Sequence, residues 1–569
     1  MKRRIEQGAK SIKPRRALAT LVGVVGVAVV LSLALGVTTS ARAASAASGG
    51  TLNIEMPWGT IADNFNPMVP NGTNAGGTLS CLYEQLFFLN TVTSQIVPVL
   101  GTKSAWSKDG LKLTITTRSG VTWSDGKPFS AADVAFTFNY IKQYPAIDLN
   151  SIWKGSGLTS VAATGANTVV FTFSKPNTPM FVFIAGVYII PEHIWSSNTS
   201  PNTDTNTKPV GTGPFVLKSF SPTAVIYDKN PNYWMAGKPS INTVVLAAVK
   251  SNDTALLDLL AGNIDYTYDA ITNPAKTYVA KNPATNKYWW PDTNINFLYF
   301  NTTKAPFNDP KLRRAIAFGM NTKLIAQRAY YGGVDASNGG QDAAVTGGQL
   351  KAWYPSSLKK LEWSYNVKTA KALLKKAGYK LKGGKLLTPK GKAIPKQQIL
   401  IGGPGWTDYI VIATMVSQEL KALGISSSVV QQPWGSYSTN LPKGNYQLAI
   451  SWGNGPGPTP YFMDYNDFSK SKIGATGTNW SRFWNPTINK ALVSYRGSSD
   501  LKVQKTAMAT IMQQVMTNAP MVALTGRPNW FDYQTKSFTG FPDATNPYND
   551  AGAPDSPGAR LLYLNVHLS

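Results

Sequence analysis

The sequence predicts an α/β protein that contains more than one domain. The chain has 569 residues, which is too many for a single hydrophobic core. From Thr51 onward, short runs rich in β-branched and aromatic residues alternate with longer runs of helical period. Residues 396–434 have the order strand, glycine loop, long helix and strand, which is typical of the βαβ unit of a parallel sheet.

Strands are predicted where apolar and polar residues alternate with a period of two and β-branched or aromatic residues are frequent. The segments are TLNIEMPW (51–58), LKLTITTR (111–118), NTVVFTFS (167–174) and FVLKSF (215–220).

Helices are predicted over residues 130–144, 251–265 and 310–333. Ser130, followed three residues later by Asp133, has the pattern of a capping box at the start of the first helix. Gly262 is a stop signal for the second. Pro310 suits the first turn of the third helix, which we expect to end at Gly332.

The first 43 residues have the three-part layout of a secretory signal. Residues 1–16 are basic, residues 17–41 carry no charge, and Ala41-Arg42-Ala43 matches a small-x-small cleavage pattern. The apolar part is longer than usual for a signal peptide and approaches the ~20 residues that cross a bilayer. We therefore expect residues 1–43 to direct export, either as a cleaved signal peptide or as an uncleaved anchor.

The composition disfavours disulfides and metal sites. Cys81 is the single cysteine, and His193 and His567 are the two histidines, so neither a cysteine nor a histidine ligand set can be assembled. We expect no cofactor and no bound metal.

The formal net charge is +26, and lysines concentrate between Lys359 and Lys396. The favoured interpretation is a solvated helix face, because no nucleic-acid-binding motif accompanies these lysines. We expect no nucleic-acid partner. Association with a membrane or cell wall, through the N-terminal segment and the basic surface, remains an alternative.

Six motifs, in order along the chain, resemble those of the family 5 extracellular solute-binding proteins. These are the oligopeptide, dipeptide and nickel-type receptors of ABC importers. The motifs are YEQLFFLN (83–90), WSDGKPFSAADVAFTFN (123–139), VGTGPFVLKSF (210–220), DKNPNYWMAGKP (228–239), FNDPKLRRAIAFGMN (307–321) and NYQLAISWG (445–453). For most of them, including the rings of Trp123, Tyr233 and Trp234, we expect a role in the scaffold and not in ligand contact.

The resemblance implies a two-lobed periplasmic-binding-protein-like fold of the type II, large peptide-binding subclass, with a hinge between the lobes. Lobe one would be residues 44–292, lobe two an insertion at 293–524, and residues 525–569 would return to lobe one. We expect a monomeric, exported receptor that lies outside the cell, on its surface or in the periplasm. It would capture an oligopeptide or an oligosaccharide in the interlobe cleft and deliver it to the permease subunits of an ABC importer.

The candidate ligand site follows the strand that ends at Trp452. In peptide-binding members of the family, an aspartate three residues after this tryptophan pairs with the peptide's α-ammonium, but here the position is Gly455. Asp464 or Asp467 could replace it, and the sequence does not decide between them.

Without that charge, aromatic rings and amides remain, which suit a neutral oligosaccharide as well as a peptide. Nickel is disfavoured because imidazole is scarce. The expected ligand-binding residues are Trp406, Trp434, Tyr437, Trp452, Asn454, Tyr461, Trp480, Phe483 and, in lobe one, Tyr83, with Trp58 as a weaker candidate.

The alternative to a receptor is a secreted enzyme that hydrolyses glycosides or peptides with cleft carboxylates. Asp408, Asp464 and Asp467 are available for such a pair, which would need a separation of about 5–9.5 Å. The sequence contains no serine elbow, no HExxH pair and no phosphate-binding loop. We therefore expect no enzymatic activity.

Overall fold

The computed structural model describes residues 49–56, 60–70, 76–249, 251–334, 348–403, 406–455, 457–550 and 556–569. The predicted export segment 1–43 and Trp58 lie outside these residues. The described residues belong to a single unit. None of the helices described within it combines the length and the hydrophobicity needed to cross a bilayer.

Strands occupy much of the described chain and fall into several sheets. They are β1 Thr51–Met56, β2 Phe87–Asn90, β3 Gln95–Pro98, β4 Gly101–Trp106, β5 Lys112–Thr117, β6 Leu158–Gly165, β7 Thr168–Phe173, β8 Phe215–Ser221, β9 Ala224–Lys229, β10 Thr243–Ala248, β11 Tyr266–Thr267, β12 Asn286–Tyr288, β13 Asp292–Phe300, β14 Lys380–Lys382, β15 Lys385–Leu387, β16 Gln397–Gly402, β17 Ser427–Gln432, β18 Leu448–Trp452, β19 Met521–Pro528, β20 Asp532–Gln534, β21 Phe538–Thr539 and β22 His567–Leu568.

The α-helices lie between these strands. They are α1 Ala131–Gln143, α2 Met180–Ala185, α3 Glu192–Trp195, α4 Asn252–Ala261, α5 Pro274–Thr277, α6 Pro310–Gly319, α7 Thr322–Tyr330, α8 Val367–Lys376, α9 Thr407–Ala422, α10 Trp434–Lys443, α11 Tyr461–Phe468, α12 Pro486–Arg496, α13 Leu501–Asn518 and α14 Ala559–Asn565.

Two large hydrophobic cores organise the described residues. The first draws its buried side chains from positions 52–266 and 531–566, and contains a mixed sheet of order β12-β20-β11-β1-β10-β9-β8 and an antiparallel sheet of order β4-β5-β7-β6. The second draws its side chains from positions 295–524 and contains the sheet β17-β16-β18-β13-β19. The strands β13 and β19, paired antiparallel, carry the chain into the second core and out of it.

Several predicted elements are confirmed. Helix α1 begins after Ser130, whose side chain and that of Asp133 form the reciprocal capping box. Helix α4 ends at Gly262, which has φ +77°, a left-handed conformation that glycine adopts without strain. The predicted βαβ unit is β16, α9 and β17, with its two strands parallel.

The single helix predicted over residues 310–333 is wrong, because the chain forms α6 and α7 instead. Met320 adopts an extended backbone, and the Asn321 side chain accepts a hydrogen bond from the Leu324 amide, so Asn321 begins a new helix. A residue that competes for backbone hydrogen bonds favours a cap over the middle of a helix.

A buried ion pair links two of the sequence motifs to the C-terminal helix. The Glu84 carboxylate accepts a hydrogen bond from the Arg560 guanidinium of α14, from the Tyr233 hydroxyl at 2.9 Å and from the Trp234 indole at 2.8 Å. The first core therefore joins the segment after Tyr83, the turn at 230–234 and the C-terminal helix. Trp123 is fully buried in the same core. These motif residues have the scaffold role that the sequence indicated.

Candidate ligand-binding site

Three tryptophans follow the carboxyl ends of neighbouring strands in the second core. Strands β17 and β18 both run parallel to β16, so the three strands end at one edge of the sheet. Trp434 follows β17, Trp452 ends β18, and Trp406 comes after the loop that follows β16. In open α/β sheets, ligands bind outside the carboxyl ends of the strands.

The indole rings of these residues pack together into one cluster. The ring centres of Trp434 and Trp452 lie 5.7 Å apart with an interplanar angle of 22°, a stacked arrangement. Trp406 lies 5.9 Å from Trp434 and 6.2 Å from Trp452, and Trp480 lies 6.4 Å from Trp452. We refer to Trp406, Trp434, Trp452 and Trp480 as the tryptophan cluster.

Exposure differs across the tryptophan cluster. Trp434 is 51% exposed, which is unusual for so large an apolar ring. Trp406 and Trp452 are half-buried, whereas Trp480 is buried. Trp434 and its stacked neighbour therefore offer aromatic surface on which a flat group of a ligand can pack.

Strand β19 brings Arg527 to the same edge. Because β13 is antiparallel to both β18 and β19, these two strands run in the same direction, with Asn296 opposite Trp452 and Asn294 opposite Arg527. The Arg527 Cζ lies 5.2 Å from the ring centre of Trp452 and 5.2 Å from that of Trp530. Both are cation–π distances.

Arg527 lies at the junction of the two cores. Trp530 packs edge-on against Tyr268, which follows β11 of the first core, at 5.7 Å. Trp452 packs against the second core. The guanidinium therefore lies where the two halves of the molecule meet, beside the strands that connect them.

Hydrogen-bonded polar groups surround this junction. The Tyr330 hydroxyl donates to the Asp408 Oδ2 at 2.9 Å, and the Tyr409 hydroxyl donates to the Asn296 Oδ1 at 2.9 Å. Burial raises the pKa of Asp408 above its ordinary value, although the hydrogen bond from Tyr330 opposes the rise.

The guanidinium of Arg527 stays charged in this setting. Burial by itself lowers the pKa of Arg527, but neighbouring groups outweigh that effect and the pKa lies above its usual range. The groups that favour the charged form are Tyr268, Tyr409, Tyr330 and Asp408.

The two aspartates that could replace the missing one are not exposed. Asp464 and Asp467 are both fully buried, and Asp467 accepts a hydrogen bond from the Asn454 amide at 2.7 Å. Gly455 has φ +68°, and a Cβ at this position would clash with the Asn466 side chain. An aspartate at position 455 would therefore require the Asn466 side chain to move.

Comparison with known proteins places the chain in a family. The family model described as bacterial extracellular solute-binding proteins, family 5 Middle, matches residues 95–474, about two thirds of the chain. The chain belongs to this family. It is therefore a transport receptor and not an enzyme, which disfavours the hydrolase alternative. This solute-binding protein is the receptor component of an ABC importer and works outside the cytoplasm.

Relatives and solved structures agree with this assignment. The solute-binding protein is 26% identical to the dipeptide-binding protein of Escherichia coli (strain K12) in an alignment of 447 positions that covers 74% of this chain and 79% of the relative. A crystal structure of a periplasmic oligopeptide-binding protein of an ABC transporter from Thermotoga maritima has a TM-score of 0.83 and 24% identity, covering 91% of this chain and 99% of that one. A mannohexaose-bound structure of the same protein has a TM-score of 0.78 and 25% identity, covering 91% and 98%. The predicted two-lobed α/β receptor fold is confirmed.

The structure separates the aromatic residues that the sequence singled out. Tyr437 adjoins the tryptophan cluster, 6.0 Å from Trp434, but its ring is buried and its hydroxyl donates to the Ile450 carbonyl at 2.7 Å. Tyr461 is buried between Tyr465 and Tyr495, whose ring centres lie 5.7 Å and 4.4 Å away.

The remaining two predicted rings also lie outside the tryptophan cluster. Phe483 packs edge-on against Phe468 at 6.4 Å. Tyr83 is fully buried in the first core, and its hydroxyl accepts a hydrogen bond from the Asn206 amide at 2.8 Å. A role in ligand contact stays a prediction for these residues, as it does for the tryptophan cluster and Asn454.

The sequence reasoning missed Arg527. The strand that carries it, MVALTGRP, is otherwise free of charged residues. The available signal was a single arginine, between a glycine and a proline, near the end of an apolar strand.

Proposed function

We propose that this solute-binding protein captures an oligopeptide between its two lobes, as a monomer, and delivers it to the permease subunits of an ABC importer. The lobes would comprise residues 44–292 with 525–569, and residues 293–524. The division of the buried side chains into two cores at nearly these positions supports the bounds. Strands β13 and β19 would act as the hinge.

The observation that carries this proposal is the tryptophan cluster at the common edge of β16, β17 and β18, with Trp434 largely exposed. An oligomeric solute presents repeated flat groups that can pack against such rings. A peptide is favoured as cargo because the relatives described above are named for the binding of dipeptides and oligopeptides.

An oligosaccharide is the second candidate, and a specific observation favours it. The loop after Trp452 presents no exposed carboxylate that could pair with an α-ammonium, because Asp464 and Asp467 are buried. Stacked rings with amide groups beside them also suit a sugar. The mannohexaose-bound relative from Thermotoga maritima agrees with this alternative.

Titration of the purified protein separates the two candidates. Intrinsic tryptophan fluorescence and calorimetry would be followed while mixed short peptides, or mannose and glucose oligomers, are added. We expect saturable binding of peptides with a Kd near micromolar, about −8 kcal/mol. Saturation by sugars alone would replace the first candidate with the second. No saturation by either panel would contradict both.

We also propose that the lysine-rich surface holds the receptor near an anionic membrane or cell wall. All ten lysines between residues 363 and 396 are exposed, and that segment contains no acidic residue. They are Lys368, Lys371, Lys375, Lys376, Lys380, Lys382, Lys385, Lys390, Lys392 and Lys396. Such binding should be lost as salt is raised. Equal retention on neutral and anionic vesicles would contradict it.

A further inference from the structure

Arg527 carries a charge that its described surroundings do not neutralise by direct contact. No carboxylate in the described part of the chain lies within 4.0 Å of its guanidinium, and its Nε is buried without a hydrogen-bond partner. Tyr409, through a side-chain hydrogen bond, and the nearby charge of Asp408 favour the charged form, but neither satisfies the buried Nε–H. In the first core, by contrast, the buried Arg560 has Glu84 as its counter-ion.

Two acidic groups near Arg527 lie beyond ion-pair distance from it. Asp408 accepts a hydrogen bond from Tyr330, lies beyond ion-pair distance from Arg527, and has a pKa that burial raises. Asp292, on the paired strand β13, lies against the backbone of Gly526 and is also beyond ion-pair distance.

The rings beside Arg527 do not supply the missing charge either. Trp452 and Trp530 contact the guanidinium through their faces, so they do not satisfy the in-plane Nε–H, which has no hydrogen-bond partner. A carboxylate matches the planar fork of a guanidinium and can accept two parallel hydrogen bonds from it.

We propose that Arg527 receives a carboxylate of the cargo, so that the site selects an oligomer with an acidic group next to Trp452. This inference rests on the proposed function, since it assumes that cargo enters the junction between the cores. The charges at the site also support this inference. Position 455 supplies no carboxylate for a cationic group, whereas strand β19 supplies a cation for an anionic one.

The carboxylate could belong to the C-terminus or an acidic side chain of a peptide, or to a uronate of an oligosaccharide. Binding would be compared for peptides with a free C-terminus and the same peptides amidated, with and without acidic side chains, and for uronate and neutral sugar oligomers. We expect the wild-type protein to bind the carboxylate form of its cargo at least about tenfold more tightly than the neutral form. The pair that shows this preference identifies the source.

Substitution of Arg527 should remove the preference for the carboxylate form of the cargo, but it should not abolish cargo binding. In Arg527→Gln, the carboxylate and neutral forms should bind with similar affinity, close to that of the neutral form for wild type. Arg527→Lys should keep part of the preference, because the charge stays but the fork is lost. An equal loss of affinity for both forms would show that Arg527 only packs, and would overturn the proposal.

Arg118 offers a matched control. Its guanidinium also covers a tryptophan, at 4.5 Å from the ring centre of Trp234, but its Nε donates to the Val99 carbonyl at 3.0 Å. We expect Arg118→Gln to leave the preference unchanged. If Arg527→Gln fails to fold, the wild-type protein still tests the proposal. Equal affinity of the wild-type protein for the free and the amidated cargo would overturn it.

A measurement without cargo separates this inference from the proposed function. In protein labelled with nitrogen-15 arginine, the Nε signal that disappears in Arg527→Lys belongs to Arg527. Acetate should shift it saturably, whereas chloride at equal ionic strength should not. If acetate shifts the Arg527 Nε signal but neither the peptides nor the sugars bind, the proposed cargo is refuted and the anion subsite is supported. If the carboxylate and neutral forms of the cargo bind equally well and acetate does not shift the Nε signal, the anion subsite is refuted and the receptor function is supported.

Discussion

The exposed ring of Trp434 is the residue on which the candidate site can be tested most directly. Its neighbours Trp406 and Trp452 are half-buried, so their removal would affect both packing and ligand contact. Trp434 is 51% exposed and follows a strand end, so its side chain adds little to the core. A ligand that stacks on the tryptophan cluster would contact this ring.

We expect Trp434→Ala to weaken cargo binding about tenfold, because one stacked ring contributes about 1 kcal/mol or more. The melting temperature should change little, since about half of the lost ring is already exposed to solvent. Calorimetric titration and thermal unfolding would measure the two effects. Trp484, which is 37% exposed and lies outside the tryptophan cluster, is the control. Equal effects of Trp434→Ala and Trp484→Ala on affinity would exclude the cluster as the site.

At the scale of elements, prediction from the sequence succeeded where a cap residue determines where a helix begins or ends. Ser130 with Asp133 predicted the start of α1, and Gly262 the end of α4, because caps act within a few residues. The division between α6 and α7 was missed, although Asn321 is a strong N-cap residue, because the apolar pattern continues across it.

The candidate site shows the limit of the same reasoning. Strand β18 and its terminal Trp452 could be predicted from local pattern and resemblance. That Arg527 lies over the same ring depends on β13 pairing with both β18 and β19, strands that are far apart in sequence. Long-range strand pairing has no local signature, so the charge at the junction could be found only in the structure.

The network of Glu84 and Arg560 fastens α14 to the rest of the first core. Replacing Glu84 by Gln keeps the shape of the side chain but leaves the Arg560 cation buried without its counter-ion. We expect Glu84→Gln to lower the free energy of unfolding by about 3–5 kcal/mol, which urea denaturation would measure.

The double variant Glu84→Gln with Arg560→Met provides the control for that prediction. It removes the charge together with its partner, so part of the lost stability should return. A change below about 1 kcal/mol in the single variant would mean that the ion pair does not hold the C-terminal helix in place.

At the scale of the whole molecule, buried acids make stability depend on pH. Burial raises the pKa of Glu55 to about 8, with Asp258 and Asp269 adding to the rise, and raises those of Asp265 and Asp269 to about 6. In the second core, burial raises the pKa of Glu419 to about 7. In each case the folded state holds protons that the unfolded chain, with its ordinary carboxyl pKa, releases at lower pH.

The direction of the effect follows from this difference in bound protons. Because the folded protein binds more protons than the unfolded chain between about pH 4.5 and 8, the free energy of unfolding should fall as pH rises through that window. The stabilisation is complete near pH 4.5 and is lost progressively up to about pH 8, by an amount on the order of a few kcal/mol. Urea denaturation at a series of pH values would measure the slope.

Glu55→Gln isolates the largest contribution to that slope. An amide at this position cannot ionise, so the variant should lose less stability than the wild type between pH 5 and 8, while the two resemble each other near pH 5. Asp109→Asn is the matched control, because Asp109 is exposed and its pKa lies below the ordinary value, outside this window. Wild-type stability that increases from pH 5 to 8 would show that these acids are ionised in the folded protein, and that neighbouring hydrogen bonds or cations outweigh their burial.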